Sequence, residues 1–230
     1  KADLPALLLV TLFQPILYFL AENFGLRQVS ASIAAIVIAT IPVFTPLVAG
    51  PLLGERIGVR GVIGLALSLG GVAIIVTERQ LEAQFTAVGL LLVFGAVMAA
   101  VGYSVAVKET PTRYRPLTIV KLQSLFGLPL ILLLALAVEG VPEMLPPREV
   151  VLHLLYLGIF PSSLAFVFLS TGIRALGPSR ANVFTNLVPG FTAIFSWILV
   201  GEMFTLQKVL GMVVVIAGVL TTQLRHKRRA

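Results

Sequence analysis

The sequence predicts an all-α protein, a polytopic membrane bundle of about eight transmembrane helices arranged as two inverted repeats. Composition is the first reason: 58% of the 230 residues are hydrophobic, 12% are charged, and the mean hydropathy is +1.02. A water-soluble domain carries roughly 25% charged residues. The apolar runs are about 17–25 residues long, the length that a helix needs to cross a bilayer. Because the alternation typical of membrane β-strands is absent, the spans are predicted to be helices.

A duplication within the chain is the second reason. Residues 25–77 match the residues 147 positions further along, without a gap. A duplicated, membrane-embedded unit is the usual construction of a secondary transporter. The identical pairs include Gly25 and Gly172, Arg27 and Arg174, Ser32 and Ser179, Ala34 and Ala181, Pro42 and Pro189, Phe44 and Phe191, Thr45 and Thr192, Gly54 and Gly201, Glu55 and Glu202, Val62 and Val209, Gly64 and Gly211, and Gly71 and Gly218.

Glycines, prolines and charged residues divide the chain into eight predicted spans. The first three lie in residues 1–78, the first repeat, and the last five lie in residues 86–224, the second repeat. Residues 225–230 form a basic tail. In chain order the spans cover residues 4–22, 29–53, 58–77, 86–107, 116–138, 150–173, 179–200 and 205–224.

The distribution of basic residues predicts the orientation. With both termini in the cytoplasm, the inner loops hold 13 of the 17 lysines and arginines, and the opposite orientation would place those 13 outside. The positive-inside rule therefore favours cytoplasmic N- and C-termini. The inner residues are Lys1, Arg56, Arg60, Lys108, Arg113, Arg115, Lys121, Arg174, Arg180, Arg225, Lys227, Arg228 and Arg229.

This orientation makes the two repeats inverted. The span at 29–53 runs from outside to inside, whereas its equivalent at 179–200 runs from inside to outside. Inverted repeats allow inward-open and outward-open states to be reached by exchanging the conformations of the two halves, which is alternating access.

The repeated stretch resembles a known family. The segment YFLAENFGLRQVSASIAAIVIATIPVFTPLVAGPLLGERIGVRGVIGLALSLGGVAIIV and the segment GIRALGPSRANVFTNLVPGFTAIFSWILVGEMFTLQKVLGMVVVIAGVL are both similar to the EamA domain of the drug/metabolite transporter (DMT) superfamily. The shared marks are an aromatic-rich third helix, a Ser/Ala-rich entry to the fourth, a mid-helix proline, a terminal Gly-Glu pair and a glycine-punctuated fifth helix. The resemblance implies a transporter with ten spans, five in each repeat.

The first repeat departs from that pattern because it holds three predicted spans where the second holds five. Under the 147-residue shift, the equivalent of residue 86 would lie at about residue −61. We therefore expect two further spans, roughly 60–70 residues, to belong to the first repeat. A native protein of eight spans is the alternative.

Polar side chains inside a membrane are costly and are candidates for function. Gln14, Tyr18 and Glu22 recur every four residues and share one face of the first span. We expect them to bind substrate. Glu22 is the single acidic residue within a predicted span, so it is the candidate for proton coupling. Its alternative is a helix-end charge at the outer interface beside Asn23.

The span at 179–200 carries a longer polar stripe. Asn182, Thr185 and Asn186 follow helical spacing and are predicted to line a substrate cavity. Hydrogen bonding between packed helices is the alternative, because membrane proteins also use Ser, Thr and Asn there.

Mid-membrane prolines point to the same helices. Pro42 and Pro189 occupy equivalent positions, and each removes a backbone hydrogen bond, which predicts helix kinks at the central site. Thr40 is a further substrate-binding candidate beside the first proline. Tyr103 and Ser163, in the fourth and sixth spans, are weaker candidates.

Some small residues and some acidic residues at helix ends are predicted to have structural roles. Gly64, Ser68 and Gly71 form a stripe that predicts close helix packing. Glu55 and Glu202 follow helix-ending glycines in both repeats, which indicates a shared connector and no catalytic role.

Enzyme and cofactor signatures are missing from the sequence. It contains no P-loop, no Gly-x-Ser-x-Gly elbow and no His-Glu-x-x-His, and its two histidines are far apart, so neither a catalytic residue nor a metal or other cofactor is predicted. The basic residues lie in loops and the tail, which argues against nucleic acid as a partner.

These observations favour a secondary transporter in the plasma (inner) membrane that exports a small metabolite, amino acid or drug-like compound by alternating access. Its expected partners are the small-molecule substrate, the lipid bilayer and coupled protons, with a homodimer as a further hypothesis. The alternatives are a truncated or non-transporting membrane protein and a lipid-modifying membrane enzyme, which would need buried acid or histidine clusters.

Overall fold

A computed structural model of the chain describes residues 3–29, 31–76, 86–140, 146–200 and 205–223. The predicted basic tail, the Gly201–Glu202 pair and Pro142 lie outside these ranges. Within them the chain folds into eight successive helical elements, which we number α1 to α8. They are α1 (Leu4–Leu26), α2 (Ala31–Ile38 and Ile41–Leu53), α3 (Val59–Val76), α4 (Ala87–Glu109), α5 (Pro116–Glu139), α6 (Arg148–Leu176), α7 (178–200) and α8 (Leu206–Gln223).

The elements confirm the predicted fold class. Helices α1, α2, α4, α5 and α6 each contain a segment that is long and apolar enough to cross a membrane, and α3 and α8 contain shorter apolar helices. The helix starts and ends agree with the predicted spans to within a few residues, because the punctuating residues act locally. Gly54, for example, ends α2 in the left-handed conformation, with φ of 68°. Thr86 starts α4, and its hydroxyl accepts a hydrogen bond from the amide of Gly89 at 2.9 Å.

Helices α1 and α6 are interrupted at equivalent places. The interruption in α1 covers Leu12–Leu17 and contains Pro15, and its backbone is extended at Gln14, with φ of −148° and ψ of 123°. The interruption in α6 is a π-helical turn that covers Phe160–Leu164 and contains Pro161. The 147-residue shift moves 12–17 onto 159–164. Single π turns inside α-helices are often found at functional sites.

Helices α2 and α7 are also interrupted at equivalent places. Helix α2 breaks at residues 39–40, just before Pro42. Helix α7 passes through a 3-10 segment, Asn182–Leu187, just before Pro189. Both predicted helix-kink positions therefore follow directly on an irregular turn, where a proline needs no regular backbone hydrogen bond.

The equivalent helices α3 and α8 form the closest helix pair of the described fold. Gly64 lies against Gly218 and Thr222, and Gly71 lies against Gly211. The contact on α8 moves backward as the position on α3 moves forward, so the two helices are antiparallel. The 147-residue shift turns the Gly64–Gly218 contact into the Gly71–Gly211 contact, as expected for two inverted units related by a two-fold axis.

Helix α4, from the second repeat, packs on the first repeat, residues 1–78, which we also call the first unit. Val93 contacts Val29 and Ala34, and Val97 and Val101 contact Ile41. The end of α1 approaches α4 closely at Gly25, where an added Cβ would lie 2.7 Å from a methyl group of Val93.

Candidate functional site

A buried polar cluster of Thr45, Ser104 and Asn182 joins three helices. The side-chain amide of Asn182, on α7, donates hydrogen bonds to the hydroxyl of Thr45 on α2 and to the hydroxyl of Ser104 on α4, both at 2.9 Å. Asn182 is 2% exposed. The cluster lies where the 3-10 segment of α7 meets the second part of α2, Ile41–Leu53. The two hydrogen bonds of the Asn182 amide link one helix to another.

A second buried polar pair lies one helical turn further along α7. The Asn186 amide nitrogen donates to the Ser68 hydroxyl at 2.9 Å, while the Asn186 Oδ1 has no hydrogen-bond partner among the described residues. Under the 147-residue shift, the equivalents of Asn186 and Ser68 are Ala39 and Val215, which belong to one apolar cluster. Each of the two contacts joins one repeat to the other, and only the contact of Asn186 with Ser68 is polar.

An aromatic cluster of Phe19, Tyr103 and Phe166 connects α1, α4 and α6. Phe166 makes edge-to-face contacts with Phe19 and Tyr103, with ring centroids 6.4 and 5.8 Å apart. The Tyr103 hydroxyl is hydrogen-bonded to that of Ser170 at 3.0 Å. Tyr103 and Ser104 are consecutive, so the aromatic cluster and the polar cluster share one turn of α4.

Two residues of the predicted stripe of α1, Tyr18 and Glu22, share one helix face. The Tyr18 hydroxyl donates a hydrogen bond to the Glu22 carboxylate at 2.9 Å, and both side chains are half-buried. Gln14 is buried and lies in the interruption of α1, where its extended backbone takes it off the regular helix that carries the other two. The rings of Tyr18 and Phe19 are also in edge-to-face contact, so the Tyr18–Glu22 pair lies next to the aromatic cluster.

A groove with a cavity of about 440 Å³ lies between α6 and α7. It runs from Pro161, in the π turn of α6, to Thr185, in the 3-10 segment of α7. Thr185 itself donates to the backbone carbonyl of Asn182 at 2.6 Å. We call this feature the α6–α7 groove, and its lining residues are Pro161, Ala165, Phe166, Phe168, Leu169, Gly172, Leu176, Ala181, Phe184, Thr185 and Val188.

The remaining predicted residues lie apart from these clusters. Ser163, in the π turn of α6, is exposed and donates to the Gly158 carbonyl of the preceding helical turn at 2.8 Å. The hydroxyl of Thr40, at the break in α2, donates to the carbonyl of Val37 at 2.5 Å. Both hydroxyls therefore bond to the backbone just before their own irregular turns.

Four residues at the interruptions of α1 and α6 and in the aromatic cluster were not predicted from the sequence: Pro15, Pro161, Phe19 and Phe166. The prolines could have been found, because under the 147-residue shift they fall one position apart in the two repeats. The phenylalanines carry no such signal, since aromatic residues are common throughout apolar helices.

Groups of three or more His, Cys, Asp or Glu that could hold a metal ion do not occur in the part of the chain that the structure describes. The polar side chains buried there are amides and hydroxyls, which can orient a ligand by hydrogen bonds.

Antiparallel equivalent helices and paired helix interruptions define the class of this molecule: a polytopic helical membrane protein built from two related units. The chain belongs to the EamA-like transporter family, whose model matches residues 1–77 and 87–223. It is a membrane transporter.

Similar proteins come from bacteria and archaea. The uncharacterized transporter YdfC of Bacillus subtilis is 26% identical over 223 residues, which cover 97% of this chain and 72% of YdfC. An uncharacterized transporter of Archaeoglobus fulgidus is 26% identical over 218 residues, 94% of this chain and 76% of that protein. A protein of Streptantibioticus cattleyicolor, named a probable terminal-alkyne amino-acid exporter, is 28% identical over 219 residues, 95% of this chain and 72% of the relative.

Proposed function

We propose that the protein is a secondary transporter that exports a small metabolite, amino acid or drug-like compound by alternating access. One observation carries the proposal: α1 and α6, and α2 and α7, are interrupted at equivalent positions in two units whose equivalent helices run in opposite directions. Interrupted helices at corresponding places in inverted repeats are the best pointer to a central transport site.

The chemistry of the junction suggests the substrate class. Amides and hydroxyls at Asn182, Thr185 and Asn186 suit a ligand with several hydrogen-bonding groups, and the neighbouring rings suit an apolar portion. An amino acid with an apolar side chain has both features. The name of the Streptantibioticus relative, an amino-acid exporter, points to the same class.

Proton coupling is assigned to Glu22. It is the single acidic residue within a predicted span, and its carboxylate accepts a hydrogen bond from Tyr18. Ionisable side chains inside membranes commonly serve as proton or ion sites. The positive-inside rule supports cytoplasmic termini. In a proton-coupled exporter of the plasma (inner) membrane, protons would enter as the substrate leaves.

Flux measurements in proteoliposomes test the proposal. The full chain is reconstituted, a panel of radiolabelled amino acids is loaded, and efflux is followed with and without an inward proton gradient. We expect gradient-stimulated efflux of apolar amino acids, and we expect Glu22→Gln to abolish the stimulation. Glu149→Gln is the matched control, because Glu149 lies exposed in the first turn of α6.

The outcomes separate function from coupling. Absence of flux above empty liposomes for every compound in the panel, with folded protein in the membrane, would refute the transport proposal. Flux that responds to the gradient equally in the wild type and in Glu22→Gln would leave transport standing and remove Glu22 from the coupling mechanism.

A further inference from the structure

A basic cavity lies at the start of α7, apart from the polar and aromatic clusters. Its volume is about 760 Å³. It lies between the connector that follows α2, the start of α3 and the start of α7. Its lining includes three arginines and one acid: Arg56, Arg60, Arg180 and Glu55.

The single acid of this cavity is held by the start of α7. The Glu55 carboxylate accepts hydrogen bonds from the backbone amide of Ser179, at 3.1 Å, and from the Ser179 hydroxyl. Gly177 lies so close that a Cβ there would overlap the carboxylate. Glu55 therefore serves to fix the connector to α7, and three guanidinium groups line the same cavity.

Helix electrostatics add to the positive potential. Helix α3 begins at the cavity, and helix N-termini carry a partial positive charge. Arg60 lies in the first turn of α3, which is the unfavourable end for a cation. An anion bound in the cavity would compensate the charges of Arg56 and Arg60 and the N-terminus of α3.

The repeat shows that the arginines are not required by the connector itself. Glu55 and Ser179 have the equivalents Glu202 and Ser32, so the acid and the serine recur in both units. The positions equivalent to the three arginines are Met203, Gln207 and Ile33. The arginines therefore occur at only one of the two equivalent places, although Glu and Ser occur at both.

We propose that this cavity binds a phosphate group, either that of an anionic lipid headgroup or that of a soluble phosphate. Guanidinium groups bind phosphate oxygens in bidentate geometry, which makes arginine the preferred residue for this ligand. Apolar lining residues such as Val59 and Leu176 border the arginines, so an acyl chain could lie alongside the headgroup.

The test compares ligands on the purified full chain in a neutral detergent. Thermal unfolding and native mass spectrometry are measured with phosphatidylglycerol, phosphatidylcholine and glycerol 3-phosphate. We expect a bound adduct and an increased Tm with phosphatidylglycerol, with glycerol 3-phosphate or with both, because both ligands carry a net negative phosphate group. We expect neither effect with phosphatidylcholine, which has no net charge. The double variant Arg56→Gln/Arg60→Gln should bind that ligand at least about tenfold more weakly.

Two variants keep the result interpretable. Arg115→Gln is the matched control, because Arg115 is an exposed arginine at the start of α5 and does not line the cavity. Arg56→Lys/Arg60→Lys keeps the charge and loses the bidentate geometry, so we expect binding between that of the wild type and that of the glutamine variant. Because Arg56 and Arg60 are both exposed, the ligand-free Tm should be unchanged.

The ligands also distinguish the source of the phosphate. Competition by glycerol 3-phosphate against phosphatidylglycerol supports a site for soluble phosphates, and an adduct with phosphatidylglycerol that resists competition supports a lipid site. Equal binding by the wild type and the double glutamine variant, or equal binding of phosphatidylglycerol and phosphatidylcholine without any binding of glycerol 3-phosphate, would overturn the proposal.

Discussion

A single amide, that of Asn182, holds three helices together. It bonds to Thr45 and Ser104 on two different helices, while the two hydroxyls remain bonded to backbone carbonyls of their own helices. In a bilayer, no water competes for these polar groups. Each hydrogen bond between transmembrane helices contributes about 0.6 kcal/mol on average.

Asn182→Ala should therefore reduce the free energy of unfolding by about 1–2 kcal/mol, from two lost hydrogen bonds and a small cavity. Denaturation in mixed detergent micelles measures the change. Thr171→Ala is the control, because the Thr171 hydroxyl is exposed and bonds only to the Val167 carbonyl of its own helix. Equal stability of the two variants would show that the Asn182 bonds do not tie the helices together.

The sequence predicted that the polar residues of α7 share one stripe, but it did not predict their hydrogen-bond partners. Helical spacing places Asn182 and Asn186 on one stripe, because spacing is a local property. Their partners Ser104 and Ser68 lie 78 and 118 residues away, and only the packing of α4 and α3 brings them into contact. Whether these amides also contact substrate stays a prediction.

At the scale of elements, the α3–α8 pair depends on the absence of side chains. A Cβ on Gly71 would lie 2.6 Å from the amide nitrogen of Val215 and 2.7 Å from the carbonyl oxygen of Gly211. Both neighbours are backbone atoms, which cannot move aside without separating the helices. Its neighbour Gly70 has open space around it within 4 Å.

This contrast gives a matched pair of variants. We expect Gly71→Ala to destabilise the protein by about 1–3 kcal/mol, because the helices must move apart. Gly70→Ala should be neutral or stabilising by up to about 1 kcal/mol, because alanine favours the helix. Thermal unfolding of both variants is the measurement, and a similar Tm for the two would contradict the close packing of α3 on α8.

The π turn of α6 provides a test of the helix interruptions. Pro161→Ala restores a backbone amide to the turn and should allow a regular helix. We expect folded protein of equal or higher Tm and a reduced transport rate in proteoliposomes. Pro147→Ala, just before α6, is the control for the loss of a proline. An unchanged rate for Pro161→Ala would show that the interruption has no part in transport.

The two kinds of interruption differed in how well they could be predicted. Pro42 and Pro189 stand out because they are identical under the 147-residue shift, and the chain is irregular beside both. The interruptions in α1 and α6 leave no mark in the apolar periodicity, and their signal in the sequence is a proline in each, Pro15 and Pro161, which fall one position apart under the shift. The eight helices themselves follow from apolar length and punctuation, because both act within a few residues of chain.

At the scale of the whole molecule, the two units share a frame but differ in what covers them. Ala34, Val37, Ile38 and Ile41 of α2 pack with α4. The 147-residue shift moves these four residues onto Ala181, Phe184, Thr185 and Val188, all of which line the α6–α7 groove. The groove is thus the surface that corresponds, in the second unit, to the one covered by α4 in the first.

A pair of equivalent glycines tests this correspondence. Gly25 faces Val93 of α4, and a Cβ there would lie 2.7 Å from a valine methyl and 3.1 Å from the Val93 amide nitrogen. Its equivalent, Gly172, borders the groove, where a Cβ would meet only the Ala181 Cβ at 3.7 Å. Gly25→Ala should destabilise the protein by about 1–3 kcal/mol, whereas Gly172→Ala should be neutral or stabilising by up to about 1 kcal/mol. Unfolding of both variants in the same detergent gives the comparison. A loss of stability in Gly172→Ala as large as that in Gly25→Ala would mean that a helix covers the groove as α4 covers the first unit, and the two units would then be packed alike.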